Sequence, residues 1–205
     1  MNENKESKIQ NKARLLEDTN PVFRNPIEDL YTASLMIAGC AWIETNDGVV
    51  LIDTLANEVA GRKVFSKIQG KIKYIIYTHG HGDHVGGSRA FVSDNPRIIA
   101  NKYLPDRFEK YKMLATHRGH TTAVQFNIPE SPREVNYVYP TETFLGEMKI
   151  NLGDKTFELY TERGETDDIV WVYVPELNAA FIGDLMIGSF PNIGNPWKPT
   201  RFAYD

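Results

Sequence analysis

The chain has 205 residues, 41% hydrophobic and 24% charged, proportions of an ordinary globular protein long enough to bury one core. Its net charge of −4, spread without long runs, argues against the basic face that non-specific nucleic-acid binding needs. Cys40 is the single cysteine, which excludes an internal disulfide, and no stretch reaches the roughly 20 apolar residues of a membrane helix.

Residues 1–20, rich in Asn, Lys and Glu, read as a flexible tail ahead of one domain over 21–205. The tail lacks the apolar core of a signal peptide, so a cytoplasmic protein is expected. Leu35 to Ala38 and Ala41 to Thr45 read as strands, followed by a hairpin turn at Asn46-Asp47-Gly48. Val49 to Ile52 is a continuous apolar strand that ends at Asp53-Thr54. From Ala56 to Gln69, Ala60, Val64, Phe65 and Ile68 fall on one helical face.

Ile72 to Tyr77 is β-branched and aromatic, a buried strand by composition. It stops in Thr78-His79-Gly80-His81-Gly82-Asp83-His84-Val85-Gly86-Gly87, which holds three of the five histidines of the chain. A strand that ends abruptly in such a loop puts its side chains at a sheet edge, where α/β folds bind ligands. Imidazole and carboxylate are the ligand types of zinc and similar divalent metals. The bland alternative is a glycine-rich loop whose histidines cap the next helix. His79 and His81 face one metal only if the backbone turns between them, a freedom assigned to Gly80 and Gly82. Asp83 and His84, one tight turn on, face a second position. Gly86 and Gly87 allow a close backbone approach.

Arg97 to Ala100 reads as a short strand, and Leu104, Phe108 and Tyr111 mark one face of a helix. Residues 112–136 carry no clear periodicity and read as an irregular insert. Tyr137 to Tyr139, Met148 to Leu152, Thr156 to Tyr160, Ile169 to Val174 and Ala179 to Ile182 read as further strands. The expected fold is α+β, two mixed β-sheets packed together with helices outside. Two carboxylates follow an apolar strand and a glycine: Glu165 after Gly164, and Asp184 after Gly183. Both are candidates to complete a metal site.

The run from Thr78 to Gly87 resembles the His-x-His-x-Asp-His signature of the metallo-β-lactamase superfamily of metallohydrolases. Leu51-Ile52-Asp53-Thr54 is similar to its early strand-plus-aspartate motif, and Phe181-Ile182-Gly183-Asp184 to its late Gly-Asp motif. The resemblance implies an αβ/βα sandwich. It implies that His79 and His81 bind one ion, Asp83 and His84 a second, and that Asp184 bridges the two. Two Zn2+ ions are expected, with Fe or Mn as other divalent choices. A metal-bound hydroxide, oriented by Asp83 as the catalytic group, is then the nucleophile of a hydrolase.

The chain departs from the family pattern at Glu165. Gly164-Glu165-Thr166 stands where most members have Gly-His-Thr, so a carboxylate replaces an expected histidine. That exchange is similar to the alkylsulfatase branch, and Ser189 to Pro196 adds a looser likeness. Alkyl sulfate esters are therefore the first substrate expectation, with lactonase, thioesterase and β-lactamase activities left open. The second departure is that no histidine follows His120, although the family completes its second site with a late one. The expectation is a domain incomplete at its C-terminus, and the rival reading is a non-catalytic metal-binding or interaction domain. His117 and His120 are candidate substitutes for the late histidine. Arg118, Arg163 and Lys102 are candidate oxyanion partners, and Phe108, Tyr111 and Met113 candidate pocket walls. The partners expected are a small anionic ester and, in assembly, a homodimer, with no nucleic acid and no membrane.

Overall fold

The computed structural model describes residues 20–127, 129–131, 136–187 and 190–191. The expected N-terminal tail and the Ser189 to Pro196 likeness fall largely outside these residues. Strands β1 (Val22–Ile27), β2 (Leu30–Leu35), β3 (Ala38–Thr45), β4 (Gly48–Ile52), β5 (Ile72–Ile76), β6 (Arg97–Asn101) and β7 (Glu142–Phe144) form one sheet in sequence order. The pairs from β1 to β4 are antiparallel, whereas β4 to β7 run parallel. Parallel neighbours end on the same edge, so Asp53, Thr78 and Asn101 leave the sheet together.

A second, antiparallel sheet contains β8 (Glu147–Leu152), β9 (Lys155–Glu162), β10 (Ile169–Val174) and β11 (Ala179–Phe181), in the order β11-β10-β9-β8. A short ribbon pairs β12 (Met186–Ile187) with β13 (Phe190–Pro191). Helices α1 (Glu58–Phe65), α2 (Gly82–Val85), α3 (Leu104–Met113) and α4 (Ala115–Phe126) lie in the crossovers between the parallel strands. No helix among the described residues is long and apolar enough to cross a membrane.

The period of two along β4 assigns its side chains to two cores. Val49 and Leu51 pack with Ile75, Val64, Phe91 and Phe108 beneath the helices. Val50 and Ile52 pack with Ile76, Phe157, Leu159, Val170 and Val172 between the sheets. A strand buried on both faces reads as unbroken apolar sequence, which is how β4 and β5 read. The two-sheet expectation therefore holds.

Several local expectations change. The strand expected over Leu35 to Ala38 is the turn between β2 and β3, where Met36 adopts a φ of 56°. The insert is not irregular at its start: α3 runs to Met113 and α4 covers Ala115–Phe126. Only one of the described α4 positions, Gly119, is buried, so its sequence shows little apolar periodicity. Tyr137 to Tyr139 is not a strand. The Tyr137 ring instead stacks on Phe108 with centroids 4.0 Å apart, and Tyr139 meets the same ring edge-on. The first helix is shorter than expected, because Asn57 accepts a bond from the Ala60 amide and starts it there. Strand β1, with no apolar alternation, is an exposed edge strand that tolerates Pro26.

Candidate metal centre

The site begins where β4 and β5 end. Asp53 has a left-handed φ of 58°, which turns its carboxylate back under the following loop. There it accepts the Thr78 amide at 2.8 Å and the Thr78 hydroxyl at 2.7 Å. Its Oδ2 also lies 2.7 Å from His84 Nδ1. A carboxylate at Nδ1 keeps the proton there and leaves the Nε2 lone pair facing the cavity. His84 Nε2 is buried without a well-aligned hydrogen bond, 3.3 Å from Asp184 Oδ1 and 3.7 Å from Asp83 Oδ2. Burial alone lowers the pKa of His84. The charge of Asp53, joined by Asp184 and Asp83, outweighs that and holds it well above the ordinary value. Such a pocket favours a cation at Nε2.

Beside it, one donor atom each from His79, His81, Glu165 and Asp184 lies within 4.8 Å of the others. His79 Nε2 and His81 Nδ1 are 2.8 Å apart. Glu165 Oε2 lies 3.3 Å from His81 Nδ1 and 3.7 Å from His79 Nε2, and Asp184 Oδ2 lies 3.9 Å from His79 Nε2. Asp184 thus presents one oxygen to each half of the pocket. His81 does precede α2, yet its side chain makes no capping bond, so capping does not explain these histidines.

The glycines act differently from expectation. Gly80 and Gly82 are not among the residues of positive φ, so the turn between the histidines needs no left-handed backbone. Close packing accounts for Gly80, where a Cβ would stand 3.0 Å from Arg107 Cδ and from Asp168 Oδ2. At Gly86 a Cβ would stand 2.1 Å from the Ala56 carbonyl oxygen, and at Gly87 2.0 Å from that of Thr54. The backbone after β4 therefore lies directly against α2 and its C-terminal end. Bonds from the Thr54 amide to the His84 carbonyl (2.7 Å) and from the Gly87 amide to the Leu55 carbonyl (2.9 Å) join the two. Gly183 does need its left-handed φ of 53°, and its Cβ would strike Thr78 at 2.8 Å. That approach puts Asp184 over the histidines.

Of the six expected ligands, His79, His81, Glu165 and Asp184 share one cluster, and His84 and Asp83 lie beside it, with His84 Nε2 3.3 Å from Asp184 and 3.7 Å from Asp83. His117 and His120 join neither: both are exposed on α4, and His120 Nδ1 lies 2.9 Å from Glu130. Phe108 and Tyr111 are core residues, and Met113 is largely exposed rather than part of a pocket wall. The Arg118 guanidinium lies over the Tyr111 ring, 4.0 Å from its centroid. Arg163 lines an open groove of about 290 Å³ with Tyr103, Leu145 and Asp167, and Lys102 is exposed. Sequence reasoning singled out Asp53 as part of a motif but not as a site residue. Its signal is the apolar strand that ends on a carboxylate. Asp53→Asn should weaken metal binding at the His84 side by roughly tenfold to a hundredfold, read by calorimetric titration of the metal-free protein.

Comparison with known proteins agrees with this geometry. A linear primary-alkylsulfatase of Pseudomonas sp. (strain ATCC 19151) is 27% identical over an alignment covering 78% of this chain and 35% of the relative. The stereoselective inverting sec-alkylsulfatase Pisa1 from Pseudomonas sp. superposes with a TM-score of 0.62 at 18% identity, covering 82% of this chain and 31% of its own. A metallo-β-lactamase from Pontibacter korlensis gives a TM-score of 0.63 at 19% identity, over 87% of this chain and 79% of the neighbour. At such identities the solved structures speak for the fold alone. The chain spans about a third of the length of either alkylsulfatase. The matching family model covers residues 37–201, so the chain belongs to the metallo-beta-lactamase superfamily.

Proposed function

We propose that this protein is a metal-dependent hydrolase of anionic esters, with alkyl sulfates as its substrate class. The donor set fits divalent metal: imidazole nitrogens and carboxylate oxygens converge, and buried His84 Nε2 has no well-aligned hydrogen bond. His79, His81 and Glu165 would hold one ion, Asp83 and His84 the other, with an oxygen of Asp184 offered to each. When bound, such ions supply the Lewis acidity that activates water and neutralises an anionic leaving group. Asp83, 3.7 Å from His84 Nε2, would orient the attacking water. Asp53 keeps His84 in one tautomer throughout.

The observation that carries the sulfatase reading is the carboxylate of Glu165 in the histidine pocket. Its net negative charge lowers the effective charge of that ion relative to a three-histidine site. The sequence relative named as an alkylsulfatase adds support, since it matches across most of this chain.

The test has two arms. Metal-free protein titrated with Zn2+, and separately with Mn2+, is expected to take up close to two equivalents. The loaded protein is then expected to release sulfate from hexyl and octyl sulfate. Binding below one equivalent, with no turnover of any ester offered, would leave a non-catalytic interaction domain as the reading. Turnover of a lactone, thioester or β-lactam with none of the sulfates would move the substrate class within the superfamily.

A further inference from the structure

The loop that carries His79 and His81 is gripped from outside by groups that touch no candidate metal position. Asp168 precedes β10 and is fully buried. Its Oδ2 accepts the Gly80 amide at 2.8 Å, and its Oδ1 lies 2.6 Å from Arg107 Nε. Gly80 is the residue between the two histidines, and its missing Cβ is what allows Asp168 and Arg107 to press against it. Arg107 belongs to α3, is 7% exposed, and pairs with Asp167 as well. A buried carboxylate and a buried guanidinium are costly to desolvate; Asp168 is satisfied here by Arg107 and the Gly80 amide, and Arg107 by Asp168, Asp167 and Tyr111.

The same chain of contacts reaches the loop a second time. Arg107 donates to the Tyr111 hydroxyl at 3.1 Å. The Tyr111 ring then stacks on His81, with centroids 6.0 Å apart and planes 23° from parallel. Around this point the two sheets are joined directly. The Val170 amide bonds the Thr78 carbonyl at 2.7 Å, and the Asn101 side chain bonds the Ile169 carbonyl at 3.1 Å. The Asp168 carboxylate continues that stitching by one bond, acting where a strand carbonyl would.

We propose that Asp168, held by Arg107 and Tyr111, is a positioning residue that sets the spacing of His79 and His81 and ties helix α3 to the metal centre. The inference rests on His79 and His81 binding metal. Its consequence is that helix α3, in the crossover between β6 and β7, acts on the centre through Arg107 and Tyr111 without supplying a ligand. A ligand imidazole held by an outer partner loses affinity when that partner is removed, typically tenfold to a hundredfold.

The experiment uses the full chain, freed of metal and titrated with Co2+, whose visible absorption reports ligand geometry. Asp168→Asn leaves buried Arg107 with only Asp167, the more exposed of its two carboxylate partners, and is prone to unfold. The double variant Asp168→Asn with Arg107→Leu removes that charge and is compared beside it, with Tyr111→Phe as a third variant that deletes one hydroxyl. The expected result is a Kd for Co2+ raised about tenfold or more in the Asp168 variants, with a changed absorption band. Tyr111→Phe is expected to raise the Kd severalfold. A merely structural role would lower the unfolding midpoint and leave the Kd and spectrum of the folded protein as in wild type, which would overturn the proposal. If neither Asp168 variant folds, Tyr111→Phe decides, and an unchanged Kd there overturns it. Failure of the wild-type protein to bind Co2+ at all would instead sink the metal reading, and this inference with it.

Discussion

Glu165→Ala should leave the protein unable to retain metal at the His79–His81 position through dialysis, while Glu165→His should largely restore it. The carboxylate is buried, and its Oε2 lies within 3.7 Å of both ring nitrogens. Asp184 alone cannot compensate, because its second oxygen is directed at His84, 3.3 Å away. Losing an outer partner of a ligand already costs about tenfold to a hundredfold in affinity. Losing a ligand outright should exceed that range. Histidine supplies a nitrogen donor in nearly the same place, which is the arrangement usual elsewhere in the superfamily. Elemental analysis after dialysis, with calorimetric titration, reads both variants. Full metal content in the Ala variant would remove Glu165 from the site.

Gly87→Ala and Gly86→Ala should be severely damaging small substitutions, each costing more than about 4 kcal/mol of stability. Neither glycine has a positive φ, so backbone freedom is not the reason. A Cβ at either position would stand 2.0–2.1 Å from a backbone carbonyl oxygen of the segment after β4. Backbone cannot swing aside as a flexible side chain can. The segment would have to move, and with it Asp53, Thr54 and the bonds that hold His84. Gly39→Ala is the control: nothing lies within 4 Å of its built Cβ, so its effect should stay within about 0.5 kcal/mol. Urea unfolding of the metal-free proteins, followed by circular dichroism, separates the three. A Gly87→Ala protein as stable as wild type would show that the 53–56 segment is free to shift.

The donor types of the candidate centre were legible in the sequence. Glycine, histidine and aspartate packed into a few residues after an apolar strand have few explanations, and all their donor types are local information. The order of apolar strand, glycine and carboxylate near Glu165 and Asp184 was local too, and so was the double-sided burial of β4 and β5. What those patterns did not contain was the set of groups that hold the donors still. Asp53 reaches His84 across 31 residues, and Asp168 reaches Gly80 across 88. Helix α4 was obscured for a related reason: it buries so little that periodicity carries no signal, and on α3 Arg107 is a buried charge whose carboxylate partners lie in the turn before β10. Hydrophobic period reports what one face of one element does. A hydrogen bond between distant segments depends on how two sheets meet at one edge, which no local pattern encodes.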